Sequence, residues 1–172
     1  MREYVTEAVV LKKEPVREFD ARVSLYTKEL GKVSAVVTSA RKPLSKLSPH
    51  LEPLSMVEVR LAEKGGMHLT DALRRGALPT SSLPILPLLD AMLAVGERDD
   101  RLWSVIAGGQ TGVYEILSVL GFDPAFALCD ACGAPSPSTF LFHDAQYFCE
   151  RCLPQGFPRG EYVRLPPHQT SR

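Results

Sequence analysis

All four cysteines of this 172-residue chain fall in one stretch, LCDACGAPSPSTFLFHDAQYFCERC, from Leu128 to Cys152. Cys129-x2-Cys132 and Cys149-x2-Cys152 are separated by sixteen residues, the spacing of a four-cysteine zinc ribbon. Each C-x-x-C turn lets two thiolates converge on one ion. The intervening FLFHDAQYF is predicted to form a hairpin that brings the second pair back to the first. Four protein ligands complete a tetrahedral shell and leave no position for water, so the reading is one structural zinc; redox pairs and unmetallated core cysteines are the competing readings. A deaminase-type site would need an H-x-E element upstream, and none is present. His143 reads as a polar residue of the hairpin turn. With no uncommitted acid, base and nucleophile set around the cysteines, the chain is predicted not to be an enzyme and to have no small-molecule substrate. The cysteines act as a staple for a segment too small to fold on its own core.

The elements that carry this site follow from the rest of the chain. With 45% hydrophobic residues it can bury a real core. No uninterrupted apolar segment opens it. The most apolar stretch, LPILPLLDAMLAV, is too short for a bilayer and carries Asp90 and two prolines. A cytoplasmic location with no membrane partner follows, and in that reducing compartment metal binding is favoured over disulfides.

The first eighty residues read as five short strands, TEAVVLKK, RVSLYTKE, GKVSAVVTS, SMVEVRLAE and GMHLTDALR. Leu30-Gly31-Lys32 and Lys64-Gly65-Gly66 are predicted tight turns, and SARKPLSKLSPHLEP is a long connection between strands three and four. The expected fold class is α+β: a five-stranded OB-type β-barrel over residues 1–80, then a helical region, 81–172, with an embedded zinc ribbon at 129–152. LPTSSLPILP marks the boundary. ILPLLDAMLAVGE predicts one helix with Leu86, Leu89 and Leu93 on a face. DRLWSVIAGGQTGVYEILSVLGF predicts a second, capped by Asp99 or Asp100, split at Gly108-Gly109 and stopped at Gly121. These helices should bridge barrel and ribbon, and LPQGFPRGEYVRLPPHQTSR reads as a loosely held tail.

The net charge is zero, yet its distribution is uneven. Through Thr80 there are fourteen Lys and Arg against ten Asp and Glu, and beyond it six against ten. The basic half is where a polyanion would bind. Arg41, Lys42 and Lys46 lie in the long connection, Lys12, Lys13 and Arg17 near the end of the first strand, and Arg22, Lys28 and Lys32 around the next two. Of these, Lys12, Lys13, Arg17, Arg22, Lys32, Arg41, Lys42 and Lys46 are the candidate DNA contacts. The barrel's aromatic residues, Tyr4, Phe19 and Tyr26, read as core, so binding is expected to be mainly electrostatic and sequence-tolerant.

EAVVLKKEPVREFDARVSLYTKELGKVSAVVTSARKPLSKLSPHLEPLSMVEVRL resembles the N-terminal domain of the RecO family of bacterial recombination mediators, and YEILSVLGFDPAFALCDACG resembles the family's approach to its zinc motif. The resemblance implies an OB-fold domain, a helical domain with a zinc element, and binding of single- and double-stranded DNA. It also implies annealing of complementary strands and assistance, with RecR, to recombinase loading in the nucleoid. It maps the basic loop to Arg41, Lys42 and Lys46 and the metal ligands to Cys129, Cys132, Cys149 and Cys152. The central segment is short for the family, and the tail stands where further helices usually follow. The apolar pocket for the tail of single-strand-binding protein is therefore not expected to survive; Leu102, Trp103 and Ile106 could at most line a remnant. The alternative function is a protein-interaction adaptor with a structural zinc and weak DNA binding.

Overall fold

The computed structural model describes residues 1–153, 156 and 160–166. Five strands form the N-terminal unit: β1 (Arg2–Pro15), β2 (Ala21–Thr27), β3 (Gly31–Val37), β4 (Ser55–Glu63) and β5 (Met67–Ala77). They close into a barrel in the order β1-β2-β3-β5-β4, with every pairing antiparallel except the single parallel bridge of β3 to β5 at Val36 and His68. In β3, Gly31, Val33, Ala35 and Val37 are buried while the intervening residues are more exposed, the period of two that a half-buried strand requires. Ala8, Val10, Val23, Leu25, Val57, Val59 and Leu61 fill the barrel interior.

β1 departs from that alternation because it is covered on both sides. Ala8, Val9, Val10 and Leu11 are all buried. Ala8 and Val10 face the barrel interior, whereas Val9 and Leu11 join a second core outside it. A register shift between Val10 and Lys12 makes Leu11 the extra residue of a bulge.

That second core is built with three helices, α1 (Ile85–Met92), α2 (Asp100–Ala107) and α3 (Val113–Val119). Pro87 sits in the first turn of α1, where its missing N–H has no helical partner to lose. Asp99 caps α2, its carboxylate accepting from the N–H of Arg101 and Leu102 at 2.8 and 2.9 Å. The split between α2 and α3 falls at the two glycines, and Gly121 ends α3 with φ 89°. α1 is shorter than its leucine spacing predicts: it stops at Met92, Leu93 is extended, and Ile85, Leu86, Leu88 and Leu89 are all buried. Two neighbours rather than one cover it, the barrel and the C-terminal sheet.

That sheet consists of β6 (Thr139–Leu141), β7 (Gln146–Phe148) and β8 (Tyr162–Arg164), in the order β7-β6-β8. The predicted hairpin is β6–β7. β8 corrects the expectation of a loose tail, because β6 offers an open edge and Val163 and Leu165 alternate into the shared core. The remainder of that tail, residues 154, 155, 157–159 and 167–172, lies outside the described residues. Leu102, Trp103 and Ile106 are buried, with Trp103 tilted against Tyr26 at 6.2 Å between ring centroids. They join the barrel, helices and ribbon into one core rather than lining an open pocket.

Candidate metal centre and nucleic-acid interface

Each C-x-x-C pair occupies a closed turn. The Gly133 N–H donates to the Cys129 carbonyl at 2.8 Å, and Gly133 has φ 70°; the N–H groups of Cys152 and Leu153 donate to the Cys149 carbonyl at 3.1 and 3.0 Å. β7 ties the first turn to the second: the Asp130 N–H donates to the Tyr147 carbonyl at 2.9 Å, and the Asp130 carboxylate accepts from the Tyr147 N–H at 2.6 Å. The four Sγ atoms lie within 4.8 Å of one another, and those of Cys132 and Cys149 are 3.8 Å apart. Zinc–sulfur bonds of about 2.3 Å in a tetrahedron place sulfurs roughly 3.8 Å apart, so the donor set fits zinc.

Local hydrogen bonds shift these thiols in opposite directions. The Cys149 N–H, 3.4 Å from Cys129 Sγ, is the main cause holding the Cys129 thiol down to about 6, with burial opposing it and the N–H groups of Cys132 and Ala131 assisting. Hydrogen bonding to the Cys132 and Cys149 sulfurs pushes Cys152 up to about 12. Leu141 and Phe148 pack on buried Cys129, and Ala134, Leu153 and Tyr162 pack against this small cluster. A metal here would cross-link the two turns and supply folding energy. His143 is exposed at the hairpin tip, its Nδ1 3.1 Å from Asp144.

The cationic candidates divide into two groups. At one end of the barrel, the β1–β2 connection (16–20) and the β3–β4 connection (38–54) are joined. The Arg41 N–H donates to the Phe19 carbonyl at 2.9 Å, its guanidinium donates to the carbonyls of Arg17 and Glu18 at 3.1 and 3.2 Å, and the Ser39 N–H donates to Asp20 at 2.9 Å. Lys42 Nζ stands 5.6 Å from the centroid of the Phe19 ring. Arg17, Arg41, Lys42 and Lys46 are exposed there together. This end is a cationic lip made of two connections.

Residues 1–75 match the family model described as "Recombination protein O N terminal". Over those residues the chain is similar to the N-terminal domain of the RecO family. It is 27% identical to the DNA repair protein RecO of Thermobifida fusca over 186 residues, covering 89% of this chain and 74% of that protein. Against the DNA repair proteins RecO of Streptomyces avermitilis and Desulforamulus reducens it is 28% and 26% identical. These matches cover 78% and 88% of this chain, and 68% and 70% of the relatives.

The second group lies elsewhere on this N-terminal domain, and internal partners engage much of it. Lys13 reaches Glu52 at 2.6 Å and the Ser48 hydroxyl at 2.9 Å, bracing the long connection. Lys32 sits 3.3 Å from the Asp90 carboxylate of α1, which also accepts from the Ser24 hydroxyl at 2.5 Å. Lys12 pairs with Glu14 at 2.6 Å. Arg22 is exposed beside them, in a cavity of about 170 Å³ that Asp90 and Val95 wall on one side. The outer face of β2 and β3 is therefore partly covered by the helical region. Of the aromatic residues expected in the core, Tyr26 is buried but Phe19 is not, being 45% exposed. The sequence signal for this was its position among Arg17, Glu18 and Asp20, in a connection too polar to be buried.

Proposed function

We propose that this protein is a non-enzymatic, cytoplasmic and nucleoid-associated mediator of DNA repair and recombination. In this reading it binds single- and double-stranded DNA and anneals complementary strands. The strand order β1-β2-β3-β5-β4, with a long bulged β1, supports reading the barrel as an OB-fold, whose β1–β2 loop is a recurrent oligonucleotide contact. The observation that carries the proposal is the lip itself: hydrogen bonds from Arg41 fasten the two connections, so that Arg17, Arg41, Lys42 and Lys46 act on one backbone. Phosphate contacts of this kind carry no base information and lower the repulsion between two strands, which is what annealing needs. Arg22 and Lys12 flank the contact; Lys13 braces the long connection through Glu52 and Ser48, while Lys32 ties the barrel to α1 through Asp90. Cys129, Cys132, Cys149 and Cys152 hold one structural zinc. The names of the relatives support the repair role, and RecR is the partner expected in recombinase loading. The tail of single-strand-binding protein is expected to bind weakly, because Leu102, Trp103 and Ile106 are occupied in the core.

Annealing of complementary oligonucleotides, with and without RecR and single-strand-binding protein, tests this reading. Annealing by the protein alone is expected, and its absence at micromolar protein overturns the proposal. The commitment of Lys13 and Lys32 to internal carboxylates favours one second reading, an adaptor that docks a protein partner while binding little DNA. Salt-dependent DNA binding separates the two.

A further inference from the structure

The β3–β4 connection ends in a shape that phosphate binding does not require. The Ser45 N–H donates to the Lys42 carbonyl at 2.9 Å, closing a turn with Pro43 and Leu44 at its centre. Proline fixes the backbone at the first central position, and the second normally carries a polar residue. Here it carries leucine, 93% exposed, with Arg41, Lys42 and Lys46 around it. One exposed leucine is ordinary on a protein surface. This one has company: Val16 and Phe19, 42% and 45% exposed, lie in the connection fastened to it, and Lys42 stands over the Phe19 ring.

We propose that Leu44 and Phe19 form a base-contacting site for single-stranded DNA, in which the Phe19 ring stacks on one base and Leu44 wedges against another while the surrounding cations hold the phosphates. The inference rests on the DNA-binding reading above and deepens it. A ligand for this lip must present negative charge and flat apolar surface within a few ångströms of each other. Single-stranded DNA does so, with unpaired base faces beside its phosphates, and apolar side chains are known wedges between bases. A duplex hides those faces. An anionic membrane offers the same two properties, but surface-binding proteins meet it with an extended amphipathic helix. The only helical turn in this connection is the three-residue 3₁₀ element Ser48–His50, which buries nothing.

The test uses the full chain and labelled oligonucleotides carrying 2-aminopurine, with Leu44→Ser, Phe19→Leu and Lys42→Gln/Lys46→Gln variants. Melting midpoints check folding; nothing has to repack around a leucine this exposed. Leu44→Ser is expected to weaken single-strand binding by about 3- to 10-fold and Phe19→Leu by about 5- to 30-fold. Both should diminish the 2-aminopurine response, leave the salt slope unchanged and alter duplex affinity by less than about 2-fold. The lysine variant should instead lower both affinities and flatten the slope, by about 0.7 per lost single-strand phosphate contact. If the two apolar variants bind single strands like the parent while the lysine variant does not, the base-contact proposal fails and the DNA-binding reading stands. If the parent binds no DNA, both fail. Loss of binding to phosphatidylglycerol–phosphatidylcholine vesicles, with oligonucleotide binding intact, assigns the tip to membranes and also overturns the proposal.

Discussion

Lys32 on β3 and Asp90 on α1 form an ion pair at 3.3 Å, with only 14% and 24% of their side chains exposed. Lys32 also donates to the Asp90 backbone carbonyl. The pair fastens the helical region to the outer face of the barrel. Lys32→Gln is therefore expected to cost about 1–2 kcal/mol of stability, between the values for exposed and buried pairs, and to change DNA affinity by less than about 2-fold. Lys46→Gln should do the reverse. Denaturant unfolding and fluorescence anisotropy on the two variants check this; a large loss of DNA affinity in Lys32→Gln would return the residue to the contact surface.

Gly31 and Gly65 both adopt left-handed backbone, with φ 64° and 63°, yet their substitution should differ sharply. A Cβ on Gly31 would lie 2.0 Å from the Glu97 carbonyl oxygen, while one on Gly65 would meet nothing within 4 Å. Gly65→Ala is expected to cost about 1–2 kcal/mol, the left-handed strain alone. Gly31→Ala should cost at least about 2 kcal/mol more, because the strap after α1 must move away from β3. Parallel thermal melts decide it, and equal shifts in the two variants would refute the close approach.

The cysteine cluster should purify with about one zinc per chain under reducing conditions; less than about a tenth of an equivalent would reject a structural metal. Chelation is expected to expose residues 129–152 to proteolysis before the barrel. Cys152 holds its proton up to about 12 and Cys129 only to about 6, so binding at pH 7 must displace at least the Cys152 proton. Zinc affinity should accordingly fall as pH falls, about tenfold per unit for each proton displaced. Competition titrations between pH 8 and 6 measure the slope.

Tyr147 gives the alkaline limit. Its hydroxyl donates to the Phe122 carbonyl at 2.6 Å, and burial, with the nearby Asp123, pushes its pKa well above the ordinary phenol value. Burial likewise raises Tyr26, whose hydroxyl donates to the Asp99 carbonyl at 3.0 Å. A phenol whose pKa rises on folding contributes stability that is complete below about pH 10 and is lost as pH climbs through the folded value. Stability should therefore decline above pH 10. Tyr147→Phe is expected to reduce that dependence and to cost about 1–2 kcal/mol at pH 7, since it leaves the Phe122 carbonyl unpaired. An unchanged alkaline profile in the variant would assign the decline to other groups.

The sequence by itself determined what local chemistry controls. Runs rich in Val, Leu and Thr between Pro, Gly and charged clusters placed all five barrel strands, glycines placed the turns at Gly31 and Gly65 and the break between α2 and α3, and Asp99 or Asp100 announced the cap that Asp99 supplies. The cysteine spacing anticipated the four-thiol cluster, because each C-x-x-C turn is a local geometry. What only the tertiary structure decided depends on who meets whom across the chain. Lys13 and Lys32 look like Arg41 and Lys46 in sequence, yet Glu52 and Asp90 reach the first two and leave the others exposed. Val163 and Leu165 are too few to predict a strand and become one because β6 presents an open edge. Phe19 reads as core by its type, but the connection that carries it crosses the barrel's end, so its ring stays at the surface beside Lys42. Pattern along the chain encodes each residue's preference for water. Which preference is satisfied is decided by packing between segments far apart in sequence, and no local pattern records that.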